Sequence, residues 1–362
     1  MRAGHTAGPD APRLGLMSQP TAVPVPPDLS VRYARTAAGR EWLASLPGVT
    51  AGLLERWRLV PDLAPGSLPW NGHGAVVVPV RREDGRPAAL KIAFPHEEAR
   101  VERHALALWG GHGAVALLAA DAGTCSMLLE RLDAVRSLAS VPMADAAAVW
   151  GGLVRQLSLV PDDRPQWREF EHIAARAEQW SDDLPADWEQ LGRPFPRWLL
   201  EAALEVCQTR GAVGRRSGRD VLVHTDLHFL NILARPDGEA TAGRPMAEAF
   251  AAIDPQPMVG EAEFGLAPLL WNRLQELPLN QPESGLRQRC ADFSAAAGLD
   301  PDAAREWALA REVANALGYV GQPGHRGDLA RSLWVASTLA GRTLEGLPPA
   351  HALPEPGQMP GT

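Results

Sequence analysis

The most constraining stretch of the chain is Val221-Leu222-Val223-His224-Thr225-Asp226-Leu227-His228-Phe229-Leu230-Asn231-Ile232-Leu233. An apolar run enters a polar loop and a second apolar run leaves it. Two buried strands therefore present one set of polar side chains at their shared end. The loop has the form His-x-Asp-x-x-x-x-Asn. Further on, Phe250-Ala251-Ala252-Ile253-Asp254-Pro255 is another apolar run closed by a carboxylate. Asp226, Asn231 and Asp254 are thus all expected at strand ends.

That set suits phosphoryl transfer to a hydroxyl. The transition state is loose, so catalysis consists mainly of positioning and charge neutralisation. One carboxylate must accept or orient the hydroxyl proton, and Asp226 fits. Oxygen ligands must hold Mg2+ against the phosphates of ATP. Asn231 and Asp254 fit, because magnesium takes one or two carboxylates and completes its shell with substrate oxygens. His224, taken alone, reads equally well as a turn or cap residue.

Lysine and arginine total 35, and Lys91 is the chain's only lysine. In a chain so biased toward arginine, a retained ammonium points to a place where a compact point charge is needed. The alternative is chance survival on a surface. Ala75–Val80 reads as a strand, Glu83-Asp84-Gly85 as a hairpin turn, and Ala88–Ala93 as the returning strand that carries Lys91. A helix is predicted from about His96 to Trp109. On it Ala105, Leu106 and Trp109 share a face with Glu102. A carboxylate on that apolar side wants a cation, and Lys91 is the natural partner, with Glu98 as the fallback carboxylate. Trp70-Asn71-Gly72-His73-Gly74 precedes the first strand. The amides of Gly72 and Gly74 are the candidates for covering phosphates, a signal shared with many ordinary turns. Gly-x-x-x-x-Gly-Lys-Ser/Thr does not occur, which excludes a P-loop.

Residues 1–27, rich in Pro, Gly and Ala, read as a disordered tail, with Met17 as an alternative start. A helical pattern follows from Arg32 to Leu59, with a break expected near Pro47-Gly48. Beyond the strand-rich block, helical patterns fall at about 144–158, 166–181, 196–210, 264–276, 284–297, 302–318 and 327–341. Residues 346–362 read as a loose Pro-rich tail. The expected plan is α+β: a small β-rich lobe over 28–130 and a larger helical lobe over 131–345.

The net charge of −8 and isoelectric point near 5.7 argue against a nucleic-acid partner, which needs a basic surface. They are compatible with a cationic small-molecule acceptor. Cys125, Cys207 and Cys290 are odd in number and scattered, with no zinc spacing or disulfide framework, so a reducing cytoplasm is expected. No apolar run approaches the roughly 18 residues of a membrane span, and no signal-peptide core is visible at the N-terminus.

Together these residues resemble the aminoglycoside/hydroxyurea phosphotransferases, enzymes with the protein-kinase-like fold. The similar stretches are Ala89-Leu90-Lys91-Ile92, Glu102–Trp109, Gly113–Leu118, Met127–Leu132, His224–Leu233, Ala252–Pro257, and Val259-Gly260-Glu261 running into Phe264 and Ala267–Asn272. The resemblance spans roughly 35–345. It implies a bilobal fold with an antiparallel N-lobe sheet, and a resistance kinase that moves the ATP γ-phosphoryl group to a hydroxyl of an aminoglycoside-like antibiotic. It implies Asp226 as catalytic base, His224 as the residue that orders the catalytic loop, Asn231 and Asp254 on magnesium, and Lys91 on the phosphates. Adenine would be read by the backbone of the Leu129–Leu132 connection, which includes Glu130 and Leu132. Thr225 is a departure, since many members have glycine there, and Phe229-Leu230 is more apolar than usual.

Three other readings compete. One is a metabolic or biosynthetic sugar kinase. Another is an inactive kinase fold that only binds, against which stands the joint retention of Lys91, Asp226, Asn231 and Asp254. The third is a metal-dependent hydrolase, since His224-x-Asp226-x-His228 offers zinc or iron ligand types. For the acceptor, Asp162, Asp163, Glu169, Glu261 and Glu263 are candidates to attract a cation. The favoured reading of these five is solvated helix faces.

Overall fold

The computed structural model describes residues 23–211, 219–236 and 246–356. Most of the expected N-terminal tail and the end of the C-terminal one lie outside the described residues. The chain divides into two compact units, one ending at Arg86 and the other starting at Pro87.

In the first unit, helix α1 (Pro27–Tyr33) starts with proline in its first turn, where a missing N–H costs nothing. Helix α2 (Ala37–Arg56) is capped by Thr36, whose Oγ1 accepts from Gly39 N at 3.0 Å. Trp42, Leu46, Thr50, Leu53 and Leu54 recur every three or four residues and form its buried face. The break expected near Pro47-Gly48 does not occur, and α2 runs through it. Both residues are exposed, so water can take the carbonyl that Pro47 leaves without a donor, while the apolar stripe holds the helix on either side. Strands β1 (Val60–Pro61) and β2 (Trp70–Asn71) both pair antiparallel with β3 (Ala75–Arg81). The turn that follows is closed by Gly85 N on Arg82 O at 2.8 Å, with Gly85 at φ +78°.

The second unit begins with β4 (Pro87–Ala93), helix α3 (Glu97–Trp109), β5 (Leu117–Asp121) and β6 (Ser126–Glu130). Strand β6 lies antiparallel between β4 and β5, with Lys91 opposite Met127. Helix α3 is capped by His96 Nδ1, which accepts from Ala99 N, and ends at Gly110 in the left-handed region. Strand β7 (Asp133–Ser137) precedes helix α4 (Met143–Leu157), the two-residue β8 (Glu171–His172), α5 (Ile173–Gln190) and α6 (Arg197–Arg210). Strands β9 (Asp220–His224), β10 (Ile232–Ala234), β11 (Phe250–Ala252) and β12 (Pro257–Glu261) complete two small sheets, ordered β11-β10-β7 and β8-β12-β9. The chain ends with α7 (Ala267–Leu270), α8 (Pro282–Ala297), α9 (Pro301–Tyr319) and α10 (Arg326–Leu339). Helix α10 packs on α9, α8 on α4, and α6 on α5. Trp109, Trp150, Trp307, Phe229 and Phe293 are among the largest wholly buried side chains.

Other expectations also need correction. The sequence predicts no strand at β1, β2, β7, β8 or β12. The helix expected over 166–181 starts only at Ile173, because Glu171 and His172 are extended alongside Met258 and Val259 of β12. That pairing needs Gly260, where a Cβ would stand 2.6 Å from Ile173 Cβ. The helix expected over 264–276 shrinks to α7 between two tight turns, with Pro268 at its start and Arg273 at φ +55° after it. The tail expected from 346 contains a short turn at Ala350–Ala352, with Ala350 and Leu353 buried.

Candidate active site

Lys91 sits mid-strand in β4 and Glu102 on the buried face of α3, as the helical spacing of Glu102 with Trp109 requires. Lys91 Nζ donates to both Glu102 oxygens at 2.6 Å and also to Asp254 Oδ1. Both members of the first pair are buried, and the fallback Glu98 is exposed. Burial alone would lower the lysine's pKa. The Asp254 and Glu102 charges more than reverse that, and the ammonium is held charged. Burial likewise pushes the Glu102 carboxyl up, with Lys91 opposing. At half-exposed Asp254 burial also raises the carboxyl, but Lys91 wins and holds it below its ordinary value.

Asp254 follows β11 with φ +54°, a left-handed conformation that few non-glycine residues adopt. Such backbone persists when its surroundings over-determine it, and here they do. Ile253 N donates to Asn231 O at 2.9 Å, and Ile253 O receives His224 Nε2 at 2.9 Å.

The loop between β9 and β10 is held just as closely. Asn231 Nδ2 donates to Asp226 O at 2.9 Å and to Asp226 Oδ2 at 3.2 Å. His224 Nδ1 accepts from Asp226 N at 3.3 Å, so the proton of the neutral ring belongs on Nε2, facing Ile253 O. The ring is buried and stacks on Trp109 at 6.0 Å. Burial lowers its pKa to about 4, against smaller opposing hydrogen bonds, and keeps it neutral. For Asp226, burial raises the carboxyl above its ordinary value and outweighs the opposing pull of His228 and Arg311. His228 Nδ1 accepts from Leu230 N at 3.2 Å, so it caps the loop's final turn.

The structure thus brings Lys91, Glu102 and Asp254 together, and Asp226 with Asn231, and joins the two groups through Ile253. Glu130 ends β6 with its carboxylate bound to Arg235 and to Ala116 N, and Leu132 is buried. Gly72 and Gly74 lie in the first unit, in the turn between β2 and β3, where Gly72 N donates to Ala75 O at 3.2 Å.

The five acidic residues read as solvated helix faces divide differently. Glu261 and Glu263 are buried: Glu261 accepts from Arg210 at 3.1 Å and Trp307 Nε1 at 2.7 Å, and Glu263 accepts from Asp300 N. Asp162 is exposed and bound by Arg164 and Trp167 Nε1. Asp163 and Glu169 are exposed. The hydrolase reading loses its first ligand, because both nitrogens of His224 face internal partners. No cluster of three or more His, Cys, Asp or Glu placed to hold a metal occurs among the described residues.

The oxygen donors present do suit magnesium. Asn231 gives its nitrogen to Asp226, which leaves Oδ1 as its ligand atom, and Asp254 adds a carboxylate. Sequence reasoning gave no role to Thr225 and overlooked Arg311. Arg311 Nη1 donates to Thr225 O at 2.8 Å and to Phe264 O at 2.9 Å. In so arginine-rich a chain nothing singles it out, and only the packing of α9 reveals it.

Similarity to known proteins shows that the chain is an ATP-dependent phosphotransferase acting on a hydroxyl group. The family model described as aminoglycoside/hydroxyurea antibiotic resistance kinase matches residues 56–320. The chain belongs to that family. It is 35% identical to a streptomycin 6-kinase of Streptomyces glaucescens over 306 residues, covering 83% of this chain and 92% of that protein. It is 36% identical to a hydroxyurea phosphotransferase of Kitasatospora aureofaciens over 322 residues, covering 87% and 84%. Among solved structures, a GDP complex of an aminoglycoside 2′-phosphotransferase shares the fold at TM-score 0.51 and 13% identity, covering 81% of this chain and 97% of that one. A Plasmodium vivax ethanolamine kinase does so at TM-score 0.52 and 11% identity, covering 78% and 81%.

Proposed function

We propose that the chain phosphorylates a hydroxyl of an aminoglycoside, streptomycin first among them, with Asp226 as the base. The observation that carries the reading is the single contact chain from Glu102 through Lys91 and Asp254 to Asn231 and Asp226. It gathers one ammonium, one amide and two site carboxylates from distant parts of the sequence.

In this reading the acceptor hydroxyl lies against Asp226, whose raised pKa makes it the better proton acceptor. The hydroxyl oxygen bonds to the γ-phosphorus, the bond to the β–γ bridging oxygen breaks, and the hydroxyl proton passes to Asp226. Lys91, oriented by Glu102, neutralises phosphate charge. Asn231 and Asp254 would hold Mg2+, which would neutralise charge on the phosphate oxygens and so ease the approach of the hydroxyl oxygen to phosphorus. His224 keeps the loop in register, and the backbone around Glu130 and Leu132 borders the adenine. Residues 28–130 serve as the nucleotide lobe and 131–345 as the catalytic lobe. The net charge of −8 is compatible with a cationic acceptor, and the free, buried Cys125, Cys207 and Cys290 suit a cytoplasmic protein.

The test is a panel of streptomycin, other aminoglycosides, hydroxyurea and simple sugars, each with labelled ATP and magnesium. Label on streptomycin is expected. Label on hydroxyurea alone would move the assignment to that relative's activity, and label on simple sugars alone would move it to a metabolic kinase.

A further inference from the structure

Thr225 stands between His224 and Asp226. Its side chain is buried, and its Oγ1 donates to Gln256 O at 2.6 Å, with Thr225 N reaching the same oxygen at 3.3 Å. Gln256 is two residues past Asp254. On the other flank, Ile253 is held by His224 and Asn231. The left-handed Asp254 is therefore fastened to the Asp226 loop on both sides, and Thr225 supplies one of those sides. Arg311 fixes Thr225 in turn: its guanidinium takes Thr225 O and Phe264 O and lies 4.5 Å over the Phe264 ring. Phe264 is itself wedged against Trp307 at 5.2 Å and Trp180 at 6.1 Å.

We infer that Thr225, braced by Arg311, is a positioning residue that sets Asp254 relative to Asp226. The inference rests on the functional reading of those two aspartates. A glycine here would keep the backbone bond to Gln256 O and lose the shorter hydroxyl bond, giving the Asp254 segment more freedom. Phosphoryl transfer is sensitive to such freedom, since misplacement by about 1 Å lowers rates by roughly a hundredfold.

Three variants separate the possibilities: Thr225→Val keeps the shape and removes the hydroxyl, Thr225→Ser keeps the hydroxyl, and Asp226→Asn tests the underlying reading. Turnover of the acceptor returned by the panel is measured at saturating ATP. Calorimetric ATP binding at several magnesium concentrations adds a readout that needs no acceptor, and thermal melting reports the folded fraction. Thr225→Val is expected to lose at least about tenfold in kcat per folded molecule. It should also need several-fold more magnesium for the same ATP affinity, while Thr225→Ser stays within about twofold of wild type. The inference is overturned if Thr225→Val matches wild type in both readouts, or if Thr225→Ser is as impaired as Thr225→Val. An active Asp226→Asn enzyme would instead overturn the assignment of the base.

Discussion

Lys91 and Asp254 are 163 residues apart in sequence and joined in the fold by an ion pair that Glu102 completes from the far side. The pair links a strand of the β4-β6-β5 sheet to the end of β11. It also explains why a chain with so many arginines keeps one lysine. The pocket is closed, with Lys91 6% and Glu102 4% exposed, and a planar guanidinium cannot place a compact charge between two carboxylates there.

Lys91→Arg is therefore expected to lose activity despite its conserved charge, by about 10²–10³ in kcat, the scale seen when one preorganised donor is removed. Stability gives an independent check. Lys91→Met leaves the buried Glu102 without its cation and should destabilise by roughly 3–5 kcal/mol. Adding Glu102→Gln removes the uncompensated charge, so the double variant should be more stable than Lys91→Met alone. Denaturant midpoints for the two singles and the double give the coupling. Additive effects would contradict the pairing.

Asp226→Asn preserves the shape that Asn231 Nδ2 grips and removes the carboxylate proposed as the base. It should lower kcat by about 10²–10⁴ and leave the KM for ATP close to wild type. A comparable rise in ATP KM would mean that Asp226 holds nucleotide or metal rather than the acceptor proton. Initial rates over a matrix of ATP and acceptor concentrations distinguish the two.

Much of the candidate site was legible because its signals are local. Strand-loop-strand patterning exposed Asp226, Asn231 and Asp254, and helical spacing placed Glu102 facing Lys91. What was missed depends on contacts that no local pattern records. The two residues of β8 are strand only because β12 lies beside them, and β12 was invisible because a run containing proline and glycine reads as a turn. Pro47 was misread as a break since local propensity omits the buried stripe of α2. Glu261 and Glu263 read as surface charges until Arg210, Trp307 and Asp300 came to them from other elements. Thr225 looked like a departure of unknown consequence, and its partners Gln256 and Arg311 lie 31 and 86 residues away.

Glu312, next to Arg311 on α9, gives a pH dependence whose sign can be worked out. It is 1% exposed and its Oε2 has no hydrogen-bond partner among the described residues, while Oε1 accepts from Asn315 at 3.3 Å. Burial pushes its carboxyl from an ordinary 4.5 up to about 7, against the weaker pull of Ser332 and Arg311. Between those values the folded chain holds a proton that the unfolded chain has released. By linkage, this group's contribution to stability falls as pH rises through that window. The limiting slope is about 1.4 kcal/mol per pH unit. Glu312→Gln keeps the neutral shape at every pH and should gain on wild type progressively from pH 4.5 to 7. His224, with its pKa lowered to about 4, works the other way: the unfolded chain takes up a proton that the folded chain refuses, so stability falls as pH drops below about 6.5. Buried Glu102, also pushed up by burial, shares the sign of Glu312, and His224 has the opposite sign, so it is the difference between the Glu312→Gln and wild-type profiles that isolates Glu312. Urea unfolding at half-unit pH steps measures both, and a Glu312→Gln profile parallel to wild type would show that Glu312 is ionised in the folded core.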